Sequence, residues 1–428
     1  MPAFSLEPEQ TAWCAELRTL AARRLGSLAE KGEPGHVNRA LVAELGRLGL
    51  LRRVFASGAL ELCLMRESLA YACTEAETAL ALQGLGAHPV HAYGTEAQRT
   101  RWLPAVTDGT AIAAFALSEP GAGSDAGALR LAAEGEALRS AAEGSALRSA
   151  AQGEGLRSEA EGSALRSAAQ GEGGGAGGDD ETAVAEADGS GRWRLTGEKC
   201  WISNAPEADF YTVFARTTPG AGARGVTAFL VPADRPGLSG SALEMLSPHP
   251  IGALRFDAVP VTGDDVLGEV DRGFAVAMGT LNLFRPSVGA FAVGMAQAAL
   301  DATLAHTARR TAFGGTLSDL QAVSHQVAEM ALRTEAARLL VYAAASAYDE
   351  KAPDVPKRAA MAKLLATETA QFVVDTAVQL HGARALQRGH LLEHLYREVR
   401  APRVYEGASE VQRGIIAKEL YARQEAAE

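Results

Sequence analysis

Four cysteines in 428 residues, Cys14, Cys63, Cys73 and Cys200, make no CxxC pair and no metal-ligand spacing. They read as reduced thiols, so neither a disulfide framework nor a metal centre is expected. Positive charge is in deficit: 41 Lys and Arg stand against 52 Asp and Glu, a net charge of −11. That balance argues against a general nucleic-acid binder, which needs a basic face, yet leaves room for a local basic pocket. No apolar run reaches the ~20 residues of a membrane span. The start, Met1-Pro2-Ala3-Phe4-Ser5, lacks a charged-then-apolar leader, so a cytoplasmic location is expected. Two nucleotide motifs are also missing. The glycines at 121 and 123 do not open a helix as GxGxxG, and no Lys-Ser/Thr follows them as in a phosphate-binding loop.

What is present is a chain too long for one core, with 47% hydrophobic residues, so two or three packed units are expected. From Glu7 to Thr107 apolar residues recur at three- and four-residue spacing, the mark of helices. Leu41–Leu50 is one such helix with a glycine-rich exit. From Ala111 to about Gly268 short β segments take over, with Phe210–Ala215 and Gly225–Val231 the plainest. Beyond Gly273 long helical patterns return. The expected class is α+β, with units at 1–110, 111–270 and 271–428.

One region breaks the rhythm. Ala137-Leu138-Arg139-Ser140-Ala141-Ala142-Glu143-Gly144-Ser145 recurs at a nine-residue period, with related copies from Ala128, Ala146, Gly155 and Ala164. Nine residues are two and a half α-turns, and nine is odd for a strand, so neither period builds a continuous apolar stripe. A repeat insertion over about 131–180, carrying little of the core, is the expectation.

Three segments carry candidate chemistry. Tyr405-Glu406-Gly407-Ala408-Ser409-Glu410-Val411-Gln412-Arg413 offers a carboxylate at a tight turn before a helix, where it can act as a base toward carbon. The same residues also allow an ordinary capping box, Ser409-x-x-Gln412. Phe115-Ala116-Leu117-Ser118-Glu119-Pro120-Gly121-Ala122-Gly123-Ser124-Asp125 runs from a strand into a glycine turn that lets a ligand approach the backbone, or is a plain loop. Trp201-Ile202-Ser203 can present an aromatic face and a hydroxyl to a ring system, or be a half-buried strand.

These segments, in this order, resemble the acyl-CoA dehydrogenase family of flavoenzymes. Leu117–Asp125 is similar to the family's first signature. Gln379-Leu380-His381-Gly382, running through Tyr396-Arg397 to Tyr405-Glu406-Gly407, is similar to the second. Arg310-Thr311-Ala312-Phe313-Gly314 with Gln321 resembles its flavin-contacting helix segment. The resemblance implies an N-terminal helical domain, a middle β-barrel-like domain and a C-terminal four-helix-bundle domain. It implies FAD as cofactor, an acyl-CoA thioester as substrate, an electron-transfer flavoprotein as partner, and a homo-oligomer, expected as a tetramer. Glu406 matches the base that takes the α-proton, with its own backbone N–H in the oxyanion hole. Some branches take the base from the position of Phe284, which has no such group. Phe115, Leu117, Ser118, Gly123 and Ser124 would line the flavin, and Trp201, Ile202 and Ser203 would cover its other side. Arg310, Phe313, Gln321, Gln379, Gly382 and Ala383 would hold the pyrophosphate and adenine, from a neighbouring subunit. Ser409 and Glu410 would also touch FAD. Ser124, Asn282, Arg285 and Gly407 match positions that meet the CoA ester.

The chain departs from the family pattern at Ala383, Arg384 and Ala385, where glycines and an aromatic are usual, and at Asn282, where Asp is common. The loop near Ala56-Ser57-Gly58 is shorter than usual. Competing readings are the same chemistry on a carrier-protein-bound acyl group, oxygen as electron acceptor, or a non-catalytic relative acting as a binding protein. An intact Glu406 and the acidic balance weigh against the last.

Overall fold

The protein is described from a computed structural model covering residues 6–135 and 191–425. The first part is helical: α1 (Pro8–Leu20), a π-helical turn at Ala21–Leu25, α2 (Gly26–Ala29), α3 (Arg39–Arg47), α4 (Leu50–Ala56), α5 (Ala59–Ala72), α6 (Thr74–Tyr93) and α7 (Glu96–Thr107). Asn38 caps α3 by accepting the Leu41 N–H, and Gly49 at φ 73 makes the glycine exit the sequence implies.

The middle part is one curled seven-stranded sheet: β1 (Ala113–Ala116), β2 (Ala132–Gly135), β3 (Arg192–Ser203), β4 (Phe210–Arg216), β5 (Val226–Pro232), β6 (Leu238–Ala242) and β7 (Ile251–Thr262). The order is β1-β4-β2-β3-β7-β6, with β5 on β4. β5 is buried along its whole length and β4 over Phe210–Ala215, which explains their unbroken apolar sequence. β3 and β7 alternate because one face meets solvent.

One boundary needs correction. The insertion expected from residue 131 begins later, because Ala132–Gly135 pair with Trp193–Thr196 as β2 and Leu131 is in the core. The first repeat copy, from Ala128, is therefore part of the sheet. The later copies lie outside the described residues.

The last part comprises α8 (Gly273–Thr307), α9 (Gln321–Asp349), α10 (Val355–His381), α11 (Leu391–Glu398) and α12 (Ser409–Glu425). α8 packs against α9, α10 and α5, and α10 packs against α12. The α5 contact is close: a Cβ on Gly294 would lie 2.4 Å from the Glu67 carbonyl oxygen. α8 is long and apolar enough to cross a membrane, but 72% of that stretch is buried inside the fold, as in a core helix. Between α8 and α9 a small hairpin, Thr311–Ala312 with Gly315–Thr316, turns at Phe313 and Gly314, with φ 55 and 84. The sheet is tied to α11 by the ion pair of His249 Nε2 and Glu398 Oε2 at 2.6 Å, and by Ser247 Oγ donating to the Arg397 carbonyl.

Candidate active site

The turn before α12 holds Glu406 at φ 52 and Gly407 at φ 95. A left-handed backbone costs a non-glycine residue roughly 1–3 kcal/mol and persists only where neighbours impose it. The neighbours here are side chains from three helices. The Glu406 carbonyl accepts from Arg285 Nε and from Gln412 Nε2, both at 3.2 Å. The Gly407 carbonyl accepts from Lys363 Nζ at 2.7 Å and from Gln412 Nε2 at 2.9 Å. A Cβ on Gly407 would meet Gln412 Nε2 at 2.3 Å, and the φ of 95° strains any other residue there. Ser409 Oγ donates to Glu368 Oε1 at 2.6 Å, and Arg403 pairs with the same carboxylate. Ser409 and Gln412 thus bind α10 and the turn instead of forming the capping box.

The Glu406 side chain is left without a bonded partner. Its Oε2 is shut off from solvent with no hydrogen bond. Burial raises its pKa above the ordinary carboxylate value, while the positive charges of Arg66, Lys363 and Arg285 pull it back. No described residue accepts the Glu406 N–H, which stays available to a ligand oxygen. Asn282 Oδ1 accepts from Arg285 Nη1 at 3.3 Å, so Asn282, Arg285, Glu406 and Gly407 come together as the sequence implied. Phe284 is buried close to α6: a Cβ on Gly84 would lie 2.9 Å from its ring, and the His88 ring stands 6.1 Å away at an edge-to-face angle.

Sequence reasoning missed the charges beneath this turn. Arg66 on α5 is ion-paired with Glu77 on α6, and its Nη1 donates to Ser287 Oγ at 2.7 Å, all three buried. The available signal was a lone arginine after the apolar run Leu62-Cys63-Leu64-Met65. Lys363 gave a similar signal amid alanines and leucines.

A second group gathers at the ends of β1 and β3. Lys199 Nζ donates to the Leu117 carbonyl at 2.9 Å and to Glu119 Oε1 at 2.8 Å, and the Cys200 N–H donates to the Ser118 carbonyl. Glu119 also accepts the N–H groups of Arg130 and Leu131. This buried pair fastens the 117–125 loop to β3. β3 is irregular between Lys199 and Ile202, and Trp201 adopts φ 57 and is 48% exposed. Ile202 is buried and Ser203 half-buried. Nothing lies within 4 Å of a Cβ placed on Gly121 or Gly123, so the loop borders open space, with Ser124 exposed. Phe115 is half-buried against Phe214, ring centroids 4.9 Å apart.

A third group lies where α8 and α10 end. His306 and His381 stack at 4.1 Å, bringing Arg310 to the same end as Gln379, Gly382 and Ala383, all exposed. Phe313 is 91% exposed on its hairpin tip, and Gln321 and Glu410 are exposed too. No hydrogen bond among the described residues joins the three groups.

Comparison with known proteins decides the family. Models of the acyl-CoA dehydrogenase N-terminal, middle and C-terminal domains match residues 7–110, 169–259 and 271–421. The chain belongs to the acyl-CoA dehydrogenase family. It is 33% identical to the short-chain specific acyl-CoA dehydrogenase of Bos taurus mitochondria over 94% of this chain and 88% of that one. It is 30% identical to the acryloyl-CoA reductase (NADH) of Anaerotignum propionicum over 98% and 96%. Butyryl-CoA dehydrogenase from Megasphaera elsdenii has a similar structure, with TM-score 0.80, 27% identity and coverage of 98% and 99%. As a member of this family the chain is a flavoprotein oxidoreductase acting on CH–CH groups, and its cofactor is FAD. The residues fit that group: two exposed rings, Trp201 and Phe313, and an open glycine loop.

Proposed function

We propose that the chain dehydrogenates an acyl-CoA thioester to the trans-2-enoyl-CoA, with Glu406 as the base. The observation that carries this is Glu406 itself, held in a left-handed turn with Oε2 buried and unpaired. An ion-paired carboxylate would be a weak base; this one is kept near its task by burial. Glu406 takes the α-proton. Its own N–H donates to the thioester oxygen as charge builds there. Bound FAD supplies the acceptor for the β-hydride. Leu117, Ser118, Gly123, Ser124, Trp201, Ile202 and Ser203 would hold the flavin end, with Phe115 behind the loop. Ser124, Asn282, Arg285 and Gly407 would meet the CoA ester.

The adenine end would be completed by another subunit. Arg310, Phe313, Gln321, Gln379, Gly382 and Ala383 are the residues assigned to it, and Ser409 and Glu410 would also touch FAD. Phe313, 91% exposed at its hairpin tip, stands where it could meet a neighbouring subunit. The proposed assembly is a tetramer, or at least a dimer, with electrons passing to an electron-transfer flavoprotein. The unit boundaries 1–110, 111–270 and 271–428 are kept, with the insertion starting after β2.

The test is anaerobic bleaching of the flavin by a panel of acyl-CoAs, starting from butyryl- and glutaryl-CoA, the acyl groups named in similar solved structures. Reoxidation by an electron-transfer flavoprotein is then compared with reoxidation by oxygen. Absence of bleaching with every acyl-CoA overturns the substrate class.

A further inference from the structure

Lys363 has an environment that its place in a helix does not explain. It sits on α10, fully buried, and forms no ion pair with any described carboxylate. Among the described residues its ammonium makes one hydrogen bond, from Nζ to the Gly407 carbonyl at 2.7 Å. A buried ammonium costs several kcal/mol unless an anion or dipoles compensate it. The groups facing it are Glu406 on the base turn, Arg285 on α8, Glu368 on its own helix and Glu410 on α12. Glu368 is engaged by Ser409 and Arg403, and Glu410 is exposed. That leaves Glu406 as the nearby carboxylate that is buried and without a bonded partner.

We propose that Lys363 is a positioning residue for the base: it pins the Gly407 carbonyl, and its charge stands behind the Glu406 carboxylate without bonding to it. This rests on the reading of Glu406 as the base. The two effects are separable. The hydrogen bond fixes the left-handed turn, and with it the direction of the carboxylate and of the Glu406 N–H. The charge favours the ionised carboxylate that burial opposes. Burial in turn pushes the Lys363 pKa down to about 8, so the ammonium is present at neutral pH.

The experiment uses the FAD-loaded enzyme and compares Lys363→Met, Lys363→Arg and Lys363→Gln with wild type. Readouts are flavin content, melting temperature, and stopped-flow bleaching at saturating acyl-CoA across pH. Lys363→Met removes a buried charge and keeps the side-chain length, so FAD content and melting temperature are expected to hold. Its bleaching is expected to slow by about 10- to 100-fold, the loss typical of a misplaced reacting group. Its acid limb should also move to higher pH by about one unit, because a neighbouring positive charge is gone. Lys363→Arg should leave that limb at the wild-type pH. If Lys363→Met does not fold, Lys363→Gln, which keeps a donor and loses the charge, must show the shifted limb. A wild-type rate and limb in the methionine or glutamine variant overturns the proposal. So does a slow rate with an unmoved limb that arginine fails to correct. A wild-type rate in Glu406→Gln instead overturns the base assignment beneath it.

Discussion

Arg285 holds Glu406 by its main chain, not by its side chain. Its Nε donates to the Glu406 carbonyl at 3.2 Å, and its Nη1 is taken by Asn282. The cation therefore orients the turn while the carboxylate stays free to accept a proton. Glu406→Gln keeps shape and hydrogen bonding but not basicity. Stopped-flow bleaching by acyl-CoA is expected to fall by about 10²–10⁴-fold, toward the upper end because Phe284 offers no substitute base. Flavin content should not change. Bleaching at the wild-type rate would show that Glu406 is not the base.

The same carboxyl links activity to stability. Burial lifts its pKa, so folding favours the neutral form. Its contribution to stability is fully present below the unfolded carboxylate value and is lost as pH rises through the folded one. The rate of flavin reduction should show the opposite trend, falling as pH drops through that folded value, since the ionised form is the base. Glu406→Gln carries no such penalty. Melting curves should show the variant gaining on wild type as pH rises above the ordinary carboxylate range. A variant that loses ground to wild type as pH rises would contradict the raised pKa of this buried carboxyl.

Arg66 and Glu77 form an ion pair wholly inside the fold, each side chain under 5% exposed. Removing one partner strands the other. Glu77→Leu is therefore expected to cost about 3–5 kcal/mol in urea unfolding, and the double change with Arg66→Met substantially less. Equal losses for the single and double variants would mean that packing, not charge, sets the cost.

The architecture was legible because local patterns survive without tertiary context: helical periodicity marks the two helical parts, and the apolar runs Phe210–Ala215 and Gly225–Val231 mark strands found at Phe210–Arg216 and Val226–Pro232. Glu406, Asn282, Arg285 and Gly407 were legible as a set only through the resemblance, since Asn282 and Arg285 lie more than a hundred residues before Glu406 and Gly407. What the sequence could not deliver is which charges are inside. Arg66, Glu77, Lys199 and Lys363 each sit on an element whose charged residues usually face solvent, and only packing reveals their burial. The capping box failed for a similar reason: Glu368 and the turn carbonyls compete for Ser409 and Gln412, and no local pattern reports them.

The repeat boundary was misplaced because the first copy looks like the others. Ala128-Leu129-Arg130-Leu131 differs from the later Ala-Leu-Arg-Ser copies at one position, where Leu131 stands in place of Ser140. That leucine is 1% exposed and packs in the core, as does Leu129, while Ala132–Gly135 extend the sheet beside β3. The later copies lack the apolar residue that made burial worthwhile. Deleting 137–172 with a short turn in its place should leave melting temperature and FAD content near wild type. Moving the start of the deletion back to Leu131 removes β2 and a buried leucine, whose loss alone is worth about 2–5 kcal/mol. That variant should melt well below the first or fail to fold. Comparable melting of the two would mean that β2 carries no stability, and comparable collapse would mean that the later copies pack against the fold.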